Sequence, residues 1–284
     1  MAAQGVRVVT DVSCELDRDT LERLQVTLVP GYINEGEQST LFDGFNLDRV
    51  KYYDDLKDKD PLPTTAAPAP GVVQEILEKA FAEAGHLLMI TLPRSLSAYY
   101  ESFRLGSEHF PQGSVTLLES GTISTAQDMQ ILVAAEVAAG GGTLEQALDA
   151  VQRARANTVS ATALATMENL RRSGRVNMAT AGLATLLQIK PILSVSDSEV
   201  ITHARVRTFR KARLELVRMM QQQAPFERLV ISHTNNLDDA HWLAEQGADL
   251  VPEPATLVNS SPIMGTHLGA GTLGYTALRA GWSD

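Results

Sequence analysis

Cysteine is nearly absent: Cys14 stands alone in 284 residues. No internal disulfide can form, and a reducing cytoplasm is the expected compartment. No run of the chain approaches the length of apolar sequence that a membrane-spanning helix needs, about 18 residues. The opening residues MAAQGVRVVTD lack the basic start and long apolar stretch of a secretory leader. The six histidines follow no HExxH spacing and no CxxC is present, so no metal and no cofactor is expected. There is no G-x-x-x-x-G-K-[ST] run to cradle the phosphates of ATP. Basic residues are outnumbered by 24 to 34, for a net charge of −10. That balance excludes nucleic acid as the main partner, because phosphate neutralisation needs clustered Lys and Arg.

What is present is ordinary globular material, 44% apolar and 20% charged, long enough for two modest domains. The first half alternates short β-branched or apolar runs with helical patterns. Strands are expected at Val6–Thr10, His86–Thr91 and Ser114–Leu118, and a second, interrupted one at Val26–Ile33 around Pro30 and Gly31. Helices are expected at Leu16–Leu24, from Asn46 as cap to Lys57, at Val72–Ala84, and from a Ser95 or Ser97 cap through Phe103. Two more come at Thr125–Ala139 and after a Thr143–Gln146 capping box. Such alternation predicts a parallel sheet with ligands beyond the carboxyl ends of its strands, where Asp11, the Leu92–Ser97 turn and Glu119–Ser120 fall. From about Asn157 the character changes. Small residues at Val159–Thr166, a short basic helix, a hairpin over Lys190–Thr208 turned at Asp197-Ser198, and a helix at Phe209–Gln223 come next. A strand at Arg228–His233, a helix at Leu237–Gln246 and a strand at Ala248–Leu257 complete an α+β pattern. The expected fold is therefore α/β in two domains: an N-terminal parallel-sheet α/β domain, 1–157, and a C-terminal α+β domain, 158–284.

Three stretches are chemically suggestive. In PIMGTHLGAGTLG, Pro262 to Gly274, one imidazole sits among glycines that permit tight turns and close backbone approach. The reading is of a loop presenting His267, with Thr266 beside it, that feeds a helix over Leu273–Arg279. Gly269, Gly271 and Gly274 have the spacing of a dinucleotide fingerprint, but no strand leads in and no acidic residue lies about 20 positions later. In DPLPTTAAPAPG, Asp60 to Gly71, four prolines predict an extended loop without ladder bonds, holding Thr64 and Thr65 rigid. Ser95 and Ser97 lie at the strand-end crevice on topology alone.

Taken in order, these segments resemble the DegV family, over essentially the whole chain. VRVVTDVSCELD is similar to the family's opening strand and Asp-Ser turn, and PTTAAPAPG to its Pro-Thr-Ser-Gln-Pro loop. SLSAYYES is similar to its Leu-Ser-Gly-Thr-Tyr-Gln-Ser turn, and MGTHLGAGTLG to its Gly-Thr-His-Thr-Gly-Pro-Gly-Ala-Leu-Gly signature. NLRRSGRV, LLQIKPIL and VRTFRKA resemble three further family segments. The resemblance implies a lipid tunnel between the two domains that encloses one long-chain fatty acid. It implies a carboxylate held by Thr65 and Ser97, with His267 beside it; Thr64 and Thr266, next to these residues in the chain, and Arg94, which the family pattern would not predict, are further candidate head-group contacts. It further implies a separate ATP-dependent fatty acid kinase that turns the carboxylate into an acyl phosphate, met by a basic surface carrying Arg175 and Arg207. Such a carrier is not itself an enzyme, and leaves room for transient contact with a membrane surface.

Energetics are consistent with this. Burying an acyl chain contributes about 0.8 kcal/mol per CH₂, on the order of 12 kcal/mol for about fifteen methylenes before ordering costs. The carboxylate must then be hydrogen-bonded, or its burial cancels much of the gain. The sequence also departs from the family pattern at Ala66, Ala67, Pro93, Arg94, Ala98, Tyr99 and Ala270, which bears on which fatty acid fits. The alternative, a serine hydrolase acting through Ser97 and His267, lacks the G-x-S-x-G elbow, since Ser97 lies in Ser-Leu-Ser-Ala-Tyr.

Overall fold

A computed structural model describes residues 5–174 and 189–283. The chain opens on β1 (Val6–Asp11), α1 (Arg18–Arg23), β2 (Thr27–Val29), β3 (Gly31–Glu35), β4 (Gln38–Phe42), α2 (Arg49–Leu56) and β5 (Thr64–Ala66). It continues through α3 (Pro70–Ala82), β6 (His86–Thr91), α4 (Tyr99–Gly106), β7 (Val115–Glu119), α5 (Thr125–Ala139) and α6 (Leu144–Asn157). The remainder is β8 (Thr158–Ala163), α7 (Glu168–Arg172), β9 (Lys190–Ser196), β10 (Glu199–Val206), α8 (Phe209–Gln223), β11 (Phe226–His233), α9 (Leu237–Gln246), β12 (Thr256–Asn259), α10 (Pro262–Leu268) and β13 (Leu273–Arg279).

The first sheet has the order β2-β1-β6-β7 and is parallel throughout. Both of its faces are covered, which is why its strands are nearly continuous apolar runs. Val9, Leu87 and Met89 pack toward Val73 and Leu77 of α3 and Phe103 of α4. Val8, Leu88 and Ile90 pack the other way, toward Leu21 of α1 and Ile131, Ala134 and Ala135 of α5. The second sheet has six strands in the order β10-β9-β8-β13-β11-β12, mostly antiparallel. One face carries Ala161, Ala163, Tyr275, Ala277 and Ile231 and is sealed by α8 and α9.

Helix α5 joins the two sheets. Ten of its fifteen residues are buried, on all sides of the helix, as expected for one enclosed by protein. Its Ile131 face lies on the first sheet, while Met129 and Val133 meet Leu278 of β13 in the second. A third, antiparallel sheet, β4-β3-β5, lies beside α10.

The structure departs from the sequence reading at several turns. The proline-rich stretch does hold a ladder: Thr64–Ala66 pairs with Tyr32–Asn34, because none of its four prolines falls within those three residues. Val26–Ile33 is two strands in different sheets, separated at Pro30, which can donate no ladder bond. Asp48, not Asn46, caps α2, accepting from the N–H of Lys51 at 3.0 Å. No side chain caps α4, whose N-cap is Ala98. Of residues 248–257, only Thr256 and Leu257 are strand, at the start of β12; Ala248–Leu250 is a 3₁₀ turn and 251–255 a loop.

The largest change concerns the glycine-rich C-terminal stretch. Pro262–Leu268 is a helix, started by a proline in its first turn, and His267 stands in its last turn. Gly269 and Gly271, at φ 77° and 82°, reverse the chain after it. The next element is no helix but the central strand β13, with β8 on one side and β11 on the other. Leu273, Tyr275 and Ala277 face the α8/α9 core in strict alternation, and that period-two pattern outweighs the helix propensity of Leu and Ala.

Candidate functional site

Between the two larger sheets lies a cavity of about 420 Å³, within the range of small-molecule sites, about 300–1,000 Å³. Its apolar walls come from Leu92, Leu96 and Ile123 of the first half, and from Leu164, Leu193, Val195, Val200, Ile263 and Met264 of the second. Thr65, Ser97 and His267 all line it, and each is half-buried. Strand β5 brings Thr65 to the cavity through its pairing with Ile33. Its Oγ1 lies 2.8 Å from Nε2 of His267. Ser97 sits in the turn after β6, whose Leu96 and Ser97 N–H groups both bond the carbonyl of Pro93. Its Oγ accepts a long bond, 3.4 Å, from the N–H of Tyr99.

The helix that carries His267 is fixed from the N-terminal half. The buried carboxylate of Glu15 accepts the N–H of Ser261, ahead of α10, at 2.8 and 2.9 Å. Arg49 Nη1 reaches the same carboxylate at 3.0 Å and also bonds the carbonyl of Asn259. Tyr53 donates to the carbonyl of Ser260 at 2.6 Å, with its ring against Gly265, where no side chain would fit. Burial pushes the Glu15 carboxyl up, against the opposing pull of Arg49 and the Ser261 bonds. Burial likewise pushes up Asp128, which accepts the N–H of Glu15 through both oxygens, and the Glu15 charge adds to the effect. Asp11, at the end of β1, is buried and accepts from Ser13 N and Oγ, Leu92 N and Gln127 Nε2. It shapes the strand-end turn that leads to Ser97. Its carboxyl is also raised by burial, with those bonds pulling the other way.

Thr64, Arg94 and Thr266 do not line the cavity. Thr64 is exposed, because neighbours along a strand point to opposite faces and Thr65 takes the inner one. Arg94 is paired with Glu119 at 3.0 Å and lies over the Tyr100 ring. Thr266 is buried, with its hydroxyl on the carbonyl of Pro262 and 2.6 Å from Tyr52 Oη. Arg207 is exposed beyond the end of β10, and Arg175 lies outside the described residues. Tyr99, bulkier than the family pattern, lines the cavity and donates to the carbonyl of Pro30 at 2.9 Å.

The sequence reading missed the second sheet's contribution. Ser160 and Thr162 of β8, Ser232 of β11 and Thr276 of β13 line the cavity, together with His233 at the end of β11. Alternation was the available signal: Thr158, Ser160 and Thr162 fall on one face of β8, and the apolar Val159, Ala161 and Ala163 on the other. Among the described residues, no group of His, Cys, Asp or Glu could hold a metal ion, and no helix is long and apolar enough to cross a membrane.

Comparison with known proteins gives one answer. The model of a family described as "Uncharacterised protein, DegV family" matches residues 5–280. A DegV domain-containing protein of Listeria monocytogenes is 30% identical over 280 residues, covering 96% of this chain and 98% of its own. Another, of Mycobacterium bovis, is 31% identical over 281 residues, covering 95% of each chain. Among solved structures, a fatty-acid-binding DegV family protein of Thermus thermophilus superposes with a TM-score of 0.88 at 28% identity, over 97% of this chain and 99% of that one. The DegV fatty acid binding protein of Bacillus subtilis shares the fold at a TM-score of 0.86 and 23% identity, over 97% and 100% of the two chains. On these matches, and on the fold they share from end to end, the chain belongs to the DegV family.

Proposed function

We propose that this protein binds one long-chain fatty acid in the cavity between its sheets and presents the carboxylate to a separate ATP-dependent kinase, which forms the acyl phosphate. The observation that carries the reading is the Thr65–His267 hydrogen bond at the wall of a cavity whose surface is mainly apolar. A hydroxyl and an imidazole, with Ser97 nearby, supply donors that favour a carboxylate without the full neutralisation of an arginine fork. That leaves the oxygen able to accept a phosphoryl group. The Thermus thermophilus relative, similar over nearly the whole chain, binds fatty acid and supports the same ligand here. On this reading residues 1–157 and 158–284 are the two domains, the acyl chain lies between them, and Arg207 belongs to the surface that meets the kinase. The protein acts as a carrier. The hydrolase alternative draws no support from the site, since Nε2 of His267 is engaged with Thr65 and Ser97 Oγ accepts from Tyr99.

The test is extraction of lipid from protein purified without added fatty acid, followed by mass spectrometry. A stoichiometric long-chain fatty acid is expected, and its acyl phosphate is expected on addition of a fatty acid kinase and ATP. Protein that carries no acyl chain and takes none up when offered palmitate would refute the reading.

A further inference from the structure

The cavity wall formed by the second sheet is poorly matched to a plain hydrocarbon. In one register row across that sheet, Thr162 of β8 faces Gly274 of β13, which faces Ser232 of β11. A Cβ built on Gly274 would lie 2.7 Å from Thr162 Oγ1 and 3.2 Å from Ser232 Oγ. The two hydroxyls therefore converge over a glycine floor, and both belong to cavity-lining residues. Neither has a hydrogen-bond partner among the described residues. The next row differs: there Thr276 and Thr125 satisfy each other at 2.7 Å.

A plain methylene chain laid over this row would strip water from the two hydroxyls and return no hydrogen bond, a loss that polar burial does not tolerate cheaply.

Building on the fatty-acid reading, we infer that the preferred ligand is an oxygenated long-chain fatty acid, with a hydroxyl along its chain seated over Gly274 between Thr162 and Ser232. The ligand hydroxyl donates to one side-chain oxygen and accepts from the other, and the carboxylate remains at Thr65 and His267. The seat is distinct from the head-group site because it lies on the sheet face and not on β5 or α10.

Calorimetric titration of delipidated protein with stearate and with 9-, 10- and 12-hydroxystearate tests this. At least one hydroxystearate is expected to bind about fivefold or more tightly than stearate, the gain of one or two satisfied hydrogen bonds. In the Thr162→Val, Ser232→Ala double variant the difference is expected to close to within about twofold, through weaker hydroxystearate and stronger stearate binding. Should that variant fail to fold, the isosteric Thr162→Val alone carries the comparison, with a smaller expected change. Hydroxystearates that bind no better than stearate overturn the inference and leave the fatty-acid reading intact. A preference that survives the substitutions overturns the seat. If no fatty acid binds, both readings fall.

Discussion

Replacing Thr65 by Val removes one hydroxyl and keeps the shape and strand propensity of the residue. The backbone pairing of β5 with Ile33 does not involve that oxygen, so the fold should hold. What is lost is the 2.8 Å contact with His267 and, in the proposed complex, a donor to the fatty acid carboxylate. Hydrogen bonds to charged groups contribute about 1.5–3 kcal/mol, which corresponds to a loss of about 10- to 150-fold in affinity. The assay is displacement of a fluorescent fatty acid from delipidated protein, by palmitate and by methyl palmitate. Palmitate should weaken by that factor. The uncharged ester, which buries the same chain but offers no carboxylate, should change by no more than about threefold. His267→Ala should act on the same interaction, so the double variant should fall short of the sum of the singles. Equal weakening of acid and ester, or an unchanged affinity for palmitate, would refute the assignment of the head group to this pair.

Two further predictions concern the frame that holds the site. Gly265→Ala would drive a Cβ to 2.1 Å from the ring of Tyr53, which is 1% exposed and anchored to Ser260. A loss of at least about 1–3 kcal/mol is expected, read from urea unfolding, and an unchanged midpoint would show that the ring can yield. Asp128→Asn should flatten the dependence of stability on pH. Burial raises this carboxyl in the folded state, so the native protein holds the proton where the unfolded chain has released it. Stability therefore falls as pH rises from the ordinary carboxylate range toward the raised value, by at most about 1.4 kcal/mol per pH unit for one group. The variant should lose part of that slope between pH 4 and 8, while Asp11 and Glu15, also raised, retain the rest. Identical slopes would show that Asp128 is not the group titrating.

Much of the fold was legible because strong patterns are local. His86–Thr91, Thr125–Ala139, Phe209–Gln223 and Leu237–Gln246 coincide with β6, α5, α8 and α9, and the Thr143–Gln146 capping box is formed as expected. The parallel order that sets Asp11, Ser97 and Glu119 at one end of a sheet came from strand–helix alternation. The errors fell where local signals were mixed. Pro and Gly obscured the ladder bonds of β5, and Leu and Ala in β13 imitated a helix until neighbours on both sides made it a strand.

The sequence by itself determined most of the elements, the family likeness and the residue types at Thr65, Ser97 and His267, because these depend on periodicity and on short motifs. Only the tertiary structure decided that Thr65 and His267, 202 positions apart, share a hydrogen bond. It alone set Glu15 against the start of α10 and Arg94 on Glu119. It alone turned the polar faces of β8, β11 and β13 into a cavity wall. The physical reason is the same each time. A side chain's partner across the molecule depends on which face its element buries and on how the two sheets meet around α5, and neither is written in its near neighbours along the chain.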